Sequence, residues 1–318
     1  MKQAVILLNM GGPSSIFEVD MFLKNMFNDP HILPIKSPFF RALVANFITY
    51  QRGDSARANY QRIGGKSPLV KHTFNLIQAL QSRDSSHFYT YAMRYTPPMT
   101  DVVVQELAQK GIEEVVLFSL YPHYSSTTTL SSLGEFYKQC EAIKYTPKIH
   151  EIDRYYSNEK YNKAIVQKII ETLDGADPGE FTLIFSAHAI PQKVADAGDP
   201  YEQEIHENIA ILKRLLAEER IAFKGIDYAF QSKIGPVRWL EPSLEKVLLK
   251  YKNEKVIIYP IAFTIDNSET DFELRIDYCE RAQRWGIAEY RVAPCLNDSP
   301  LFVEAILHLI SKGDSHDS

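Results

Sequence analysis

Cysteine is scarce in this chain, and long apolar runs are missing. Only 3 cysteines occur in 318 residues, and Cys140, Cys279 and Cys295 have no C-x-x-C spacing, which argues against a disulfide framework or a cysteine-held cluster. No apolar run approaches the roughly 18 residues of a membrane-spanning helix. The apolar segment Ala4–Leu8 is too short for the core of a signal peptide. These absences predict a cytoplasmic protein that works in a reducing compartment.

An excess of positive charge is also missing. Lys and Arg number 35 against 40 Asp and Glu, a formal charge of -5. Proteins that bind nucleic acid need basic residues to neutralise phosphates, so we expect no nucleic-acid partner. Hydrophobic residues make up 45% of the chain and charged residues 24%, as in an ordinary globular protein. A chain of this length accommodates two domains of about 150 residues each.

Short strand-like runs alternate with amphipathic helical patterns along the whole chain. The predicted strands are Ala4–Asn9, Phe88–Met93, Val115–Leu120, Ile149–Ile152, Thr182–His188, Ile226–Phe230, Val256–Phe263 and Tyr290–Ala293. The predicted helices include Leu69–Leu80, Met99–Gln109, Tyr161–Leu173, Glu202–Ala217, Leu244–Tyr251, Phe272–Gln283 and Leu301–Leu309. Alternation of this kind is typical of parallel sheets with helical crossovers. We therefore predict two α/β domains, residues 1–155 and 156–318, each with a parallel four-stranded sheet flanked by helices. We also expect the last helix to pack on the first domain.

Two predicted strands lead to residues suited to metal and proton chemistry. Thr182–His188 ends on a histidine, and Val256–Phe263 runs into the polar turn that precedes Glu269. Ligands of open α/β sheets bind beyond the carboxyl ends of the strands, and imidazole and carboxylate both bind divalent metals and transfer protons. The alternative for His188 is a core histidine that satisfies a strand end.

Three carboxylates follow one another at helical spacing. Glu269, Glu273 and Asp277 are four residues apart, which places them on one face of a helix. Such a ridge is usually a solvated charged surface. The alternative is a track along which a hydrated cation approaches Glu269.

Seven short blocks, in collinear order, resemble the ferrochelatase family. They are Leu8-Asn9-Met10-Gly11-Gly12-Pro13, Gly64-Gly65-Lys66-Ser67-Pro68-Leu69, Met93-Arg94-Tyr95, Leu120-Tyr121-Pro122-His123-Tyr124-Ser125, Ser186-Ala187-His188 with Gly198-Asp199-Pro200-Tyr201, Gln231-Ser232-Lys233-Ile234-Gly235-Pro236 with Trp239-Leu240, and Asp266-Asn267-Ser268-Glu269-Thr270. The resemblance implies the class II chelatase fold, with two Rossmann-like domains and a porphyrin cleft between them. It also implies insertion of Fe(II) into protoporphyrin IX with loss of two pyrrole protons, the final step of haem biosynthesis.

The resemblance also assigns roles to individual residues. His188 and Glu269 are implied as the catalytic pair and metal contacts, with Glu273 and Asp277 as the cation track. The implied substrate-binding residues are Met10, Arg94, Tyr121, Trp239, Phe263 and Asn267. Loop packing is the alternative for Met10, and an ion pair with a structural carboxylate is the alternative for Arg94.

An apolar stripe at helical spacing lies between Ser37 and Gln51. Its residues are Phe39, Phe40, Leu43, Val44, Phe47 and Ile48. Burial in the core is the simple interpretation. The resemblance instead implies a lip over the porphyrin pocket, with peripheral contact to the membrane as a further option.

The sequence departs from the family at Asn267, which stands where the common block has histidine. Asparagine cannot accept a proton at neutral pH, so a mechanism that needs two histidines is in doubt and His188 must supply the imidazole alone. His123 likewise replaces the glutamine common in its block.

The chain lacks the cysteine-bearing tail that holds an iron–sulfur cluster in some members, so we expect no cofactor beyond the substrate Fe(II). Two alternatives remain open: a chelatase for coproporphyrin, another tetrapyrrole or another metal, and a non-catalytic haem or porphyrin carrier.

Overall fold

The computed structural model describes residues 2–233, 235 and 237–314. They form two compact units, Tyr155–Ala305 and the described residues on either side of that stretch. Each unit contains one four-stranded parallel sheet. Within the described residues, no helix is long and apolar enough to span a bilayer.

The sheet of the first unit has the strand order β2-β1-β3-β4. Its strands are β1 (Gln3–Asn9), β2 (Phe88–Met93), β3 (Glu114–Ser119) and β4 (Lys148–Ile152). β1 lies between β2 and β3, and its apolar residues from Ala4 to Leu8 are buried. A strand with helices on both faces of its sheet needs such a continuous apolar run.

Five α-helices lie in the described part of the chain before Tyr155. They are α1 (Val19–Phe27), α2 (Pro38–Arg62), α3 (Leu69–Arg83), α4 (Thr100–Gln109) and α5 (Ser131–Ile143). α2 begins where the side chain of Ser37 accepts a hydrogen bond from the Phe40 amide and Pro38 occupies the first turn, both of which favour a helix start. A short π-helical segment, Ser126–Leu130, leads into α5.

The second unit repeats the pattern with the strand order β6-β5-β7-β8. Its strands are β5 (Phe181–His188), β6 (Gly225–Gln231), β7 (Lys255–Tyr259) and β8 (Glu289–Val292). The α-helices that follow Arg154 are α6 (Glu159–Leu173), α7 (Gln192–Asp196), α8 (Tyr201–Glu218), α9 (Leu244–Leu248), α10 (Cys279–Trp285) and α11 (Pro300–Asp314). β5 is central and buried from Phe181 to Ala187, so His188 is its first residue to emerge from the core.

The structure confirms the predicted fold class of two parallel four-stranded sheets, and it differs from the predicted elements at two places that matter for function. The strand predicted at Val256–Phe263 ends at Tyr259, because Pro260 has no amide hydrogen to continue the ladder. The helix predicted at Phe272–Gln283 starts earlier, as a π-helical segment, Glu269–Tyr278, that continues into α10. π-helical turns are rare and occur frequently at functional sites.

Candidate active site

His188 and Glu269 form an ion pair at the carboxyl end of β5. Nε2 of His188 lies 3.2 Å from Oε1 of Glu269, and the two side chains are 31% and 24% exposed. Nδ1 of His188 lies 2.6 Å from the carbonyl oxygen of Ala189. Because a carbonyl can only accept, Nδ1 carries a hydrogen and Nε2 is the nitrogen available for metal or proton chemistry. Tyr201 fixes the backbone by donating its hydroxyl to the His188 carbonyl at 2.9 Å.

The charges around His188 raise its pKa. Burial by itself lowers the pKa of this imidazole, but the carboxylates of Glu269 and Glu273 more than offset burial and raise it from 6.5 to about 9. At neutral pH the ring therefore carries a proton directed at Glu269. The stability that the protonation of His188 contributes is fully present below pH 6.5, as long as Glu269 is ionised, and is lost as the pH rises through the His188 pKa of about 9.

The backbone of Glu269 is held by two hydrogen bonds, one to its amide and one to its carbonyl oxygen. Its amide donates to Oδ1 of Asn267 at 2.7 Å, and its carbonyl oxygen accepts from Nε2 of Gln231 at 3.3 Å. It is also the first residue of the π-helical segment. These contacts fix the carboxylate opposite His188.

Asn267 organises this turn, and the substrate contact predicted for it stays a prediction. The residue is only 6% exposed. Its Oδ1 accepts from the amides of Glu269 and Thr270, and its Nδ2 donates to the carbonyl of Ile265 at 3.2 Å. Asparagine is a favoured residue for capping exposed amides at a helix start. The Asn267 side chain is thus engaged by the backbone around Glu269.

Replacing Asn267 with alanine should destabilise the fold. Loss of a helix-start cap costs about 1 kcal/mol of unfolding free energy, within a range of roughly 0.5–2. Asn267→Ser should keep most of that stability, because serine also caps. Chemical denaturation of both variants measures the difference, and equal midpoints for Asn267→Ala and the unmodified protein would refute the capping role.

The carboxylates beyond Glu269 already have partners. Glu273 accepts hydrogen bonds from the Ser232 amide at 2.9 Å, from the Ser232 hydroxyl and from Nε2 of Gln231 at 3.4 Å. Asp277 pairs with Arg281 at 3.0 Å. Burial is the main cause that raises the pKa of Glu273, and the negative charge of Glu269 adds to it.

Two aromatic residues predicted as substrate walls lie near the end of β5. The ring of Phe263 is perpendicular to the His188 ring, with centroids 6.4 Å apart. Trp239 pairs with Pro191, three residues after His188, through an isolated antiparallel bridge. The structure therefore gathers His188, Glu269, Glu273 and Phe263 in one place, with Trp239 on the adjoining segment.

The other predicted contacts, Met10, Arg94 and Tyr121, belong to the first unit and follow its strands. The Met10 carbonyl accepts from the Tyr95 amide at 2.9 Å, which ties the turn after β1 to the turn after β2. Gly11 has φ +86°, and a Cβ there would meet Oγ1 of Thr96 at 2.2 Å, so only glycine fits this position. Tyr121 follows β3, where its amide donates to Oγ of Ser119 at 3.2 Å.

Arg94 makes the structural ion pair that was the alternative to substrate contact. Its Nη2 lies 3.0 Å from Oδ2 of Asp29, whose side chain is fully buried, and 3.5 Å from Oε2 of Glu135. Its Nε donates to Oγ of Ser131 at 2.9 Å. The hydroxyl of Tyr95 donates to the same Asp29 oxygen at 2.9 Å. A buried carboxylate thus orients the guanidinium.

His188 and Glu269 offer a metal ion two protein ligands. Among the residues that the structure describes, no group of three His, Cys, Asp or Glu side chains could hold a metal ion. Tyr201, Gln231 and Ser232 belong to the blocks that resemble the family, but the sequence predicts no role for them. Because their contacts join segments far apart in the chain, spacing alone carried no signal for them.

Known proteins match this chain over nearly its whole length. The sequence profile of the family described as Ferrochelatase matches residues 2–313. A ferrochelatase of Wolinella succinogenes is 67% identical over 314 residues, covering 99% of each chain. A ferrochelatase of Helicobacter pylori strain HPAG1 is 48% identical over 312 residues, covering 98% of this chain and 93% of the relative.

Solved structures of chelatases share the fold at low sequence identity. SirB from Bacillus subtilis with Fe3+ has a TM-score of 0.59 and 11% identity, covering 100% of this chain and 97% of SirB. The sirohydrochlorin chelatase SirB from the subspecies spizizenii, in complex with cobalt, has a TM-score of 0.58 and 9% identity, covering 98% and 95%. These likenesses confirm the predicted chelatase-like fold.

Proposed function

Since the chain belongs to the ferrochelatase family and is a lyase of haem biosynthesis that inserts iron into a porphyrin, we propose that its substrate is protoporphyrin IX and that His188 and Glu269 carry the reaction. The observation that supports these roles is the 3.2 Å ion pair at the carboxyl end of β5. A carrier of finished haem or free porphyrin needs neither a base nor an anionic metal contact.

In this proposal the pair exchanges a proton for the metal. Because the pKa of His188 is raised to about 9, Fe(II) can bind Nε2 only after the proton between Nε2 and Glu269 has left. When the iron moves on to the porphyrin, His188 regains a proton from one pyrrole nitrogen and the pair returns to its starting state. Glu269, which is 24% exposed, passes the second pyrrole proton to solvent.

The activity is tested by following porphyrin absorbance with Fe(II) under anaerobic conditions. We expect multiple turnovers with protoporphyrin IX and slower insertion into coproporphyrin. Faster insertion into coproporphyrin would reassign the substrate. A protein that binds porphyrin but turns over no divalent metal would be a carrier, and the enzymatic assignment would be wrong.

We also propose that the apolar stripe of α2 contacts porphyrin and the membrane surface from which porphyrins partition. Four of its six residues are exposed instead of packed in the core, Phe39 at 69%, Phe40 at 61%, Leu43 at 51% and Phe47 at 60%, whereas Ile48 packs partly against the core. A contiguous apolar patch of this kind commonly marks an interaction site.

Replacing both Phe39 and Phe47 with serine should weaken vesicle binding by about tenfold. Each aromatic ring contributes roughly 1.5–3 kcal/mol to the binding free energy when it is fully buried, and only part of that at a membrane interface. The measurement is flotation with phosphatidylglycerol vesicles, and Tyr137→Ser, at an exposed site on α5, is the matched control. Equal flotation of the double variant and the unmodified protein would rule out a membrane contact at this stripe.

A further inference from the structure

The carboxylate of Glu273 is committed to the turn after β6. Both of its oxygens accept hydrogen bonds: Oε1 from the Ser232 amide at 2.9 Å, and Oε2 from the Ser232 hydroxyl and from Nε2 of Gln231 at 3.4 Å. A carboxylate offers about four lone-pair sites, so three acceptances leave little of its capacity for a passing cation.

The turn that Glu273 holds is conformationally unfavourable. Ser232 has φ +66°, the left-handed region that residues other than glycine seldom occupy. Strain of this kind persists only where the surroundings impose it, and it is frequent at active sites. The hydrogen bonds from the Ser232 amide and hydroxyl to Glu273 hold the residue in this conformation.

Gln231, the residue before this turn, contacts the segments of both reactive side chains. Its Nε2 donates to the Glu269 carbonyl at 3.3 Å, and its Oε1 accepts from Oγ of Ser186 at 2.6 Å. Its own carbonyl accepts from the Ala189 amide at 2.9 Å, next to the carbonyl that orients His188. A shift of the Ser232 turn would therefore move both members of the pair.

We propose that Glu273 is a positioning residue, which clamps the Ser232 turn and thereby sets the geometry between His188 and Glu269, and that it is not a ligand on a cation track. This inference depends on the proposed roles of His188 and Glu269. The ion pair between Asp277 and Arg281 supports it, because a guanidinium beside the next carboxylate repels an approaching cation.

Two substitutions of Glu273 separate clamping from metal relay. Glu273→Gln keeps one acceptor oxygen for the Ser232 amide and an amide group that can donate to the Ser232 hydroxyl, but it removes the charge. If Glu273 clamps the turn, the kcat of Glu273→Gln and its KM for Fe(II) should stay within about threefold of the unmodified protein. Glu273→Ala should lower kcat by about 100-fold, because a displacement of the reacting groups by about 1 Å costs a loss of that size, and should change KM little. A relay predicts that Gln and Ala raise the KM for Fe(II) alike, and that result would overturn the proposal.

Hydrogen exchange of the Gln231–Ser232 segment supplies a readout that needs no activity. Exchange of the Ser232 amide should quicken at least tenfold in Glu273→Ala and stay near the unmodified rate in Glu273→Gln. The control is Glu280→Gln, an exposed acid on α10. An unmodified protein that inserts no metal but shows this exchange pattern would contradict the proposed function and leave the clamp standing. Unchanged exchange in Glu273→Ala would refute the clamp even in an active enzyme.

Discussion

Replacing His188 with alanine should reduce iron insertion by about 1,000-fold while leaving porphyrin affinity within about threefold, because a positioned acid–base group contributes roughly 10²–10⁴ in rate. The substitution removes Nε2, the nitrogen that faces Glu269 at 3.2 Å. It also leaves the His188 strand end and the turn before Glu269, as the structure describes them, without an imidazole, because Asn267 cannot accept a proton at neutral pH.

Two measurements are needed for this variant. Anaerobic turnover gives the loss of rate, and quenching of protein fluorescence by added porphyrin gives the affinity. His206→Ala is the matched control, because it truncates another histidine of the same unit, one that packs on Tyr228 with ring centroids 4.7 Å apart. Turnover of His188→Ala equal to that of the control would refute the role of His188.

Replacing Glu269 with glutamine should lower turnover by about 100-fold, at the lower end of what a charged acid–base partner contributes. The amide cannot accept a proton and offers the cation no negative charge. The fold should be retained, because the Asn267 and Gln231 contacts are made to the backbone of Glu269.

Glu280→Gln again serves as the control, since it removes one exposed carboxylate from α10. If Glu269→Gln keeps turnover within about threefold of this control, the pair does not act as a unit and another group takes the proton. A loss confined to the KM for Fe(II) would assign Glu269 to metal binding alone.

The fold could be predicted from the sequence because parallel strands buried on both faces leave an unmistakable apolar signal. β2 lies at the predicted Phe88–Met93, and β5 was predicted to within one residue. His188 could be picked out for the same reason, since it is the first residue after the buried run of β5.

The details around Glu269 could not be predicted in the same way. The four-residue spacing of Glu269, Glu273 and Asp277 is compatible with an α-helix and with a π-helical segment. The two kinds of helix differ in their backbone hydrogen bonds, which the pattern of side chains does not report. The partners of Glu273 lie on the segment after β6, about forty residues earlier in the chain, and depend on which strands become neighbours. The sequence pattern therefore cannot distinguish a carboxylate that holds a turn from one that meets a cation.

The most direct test of the central claim, that His188 and Glu269 act as one unit, is titration of the His188 ring by NMR in the unmodified protein and in Glu269→Gln. The ring of the unmodified protein should lose its proton at a pKa of about 9. In Glu269→Gln the pKa should fall well below that value, because burial lowers it and the largest opposing charge is gone. A pKa at or below 6.5 in the unmodified protein, or one that Glu269→Gln does not change, would contradict the account.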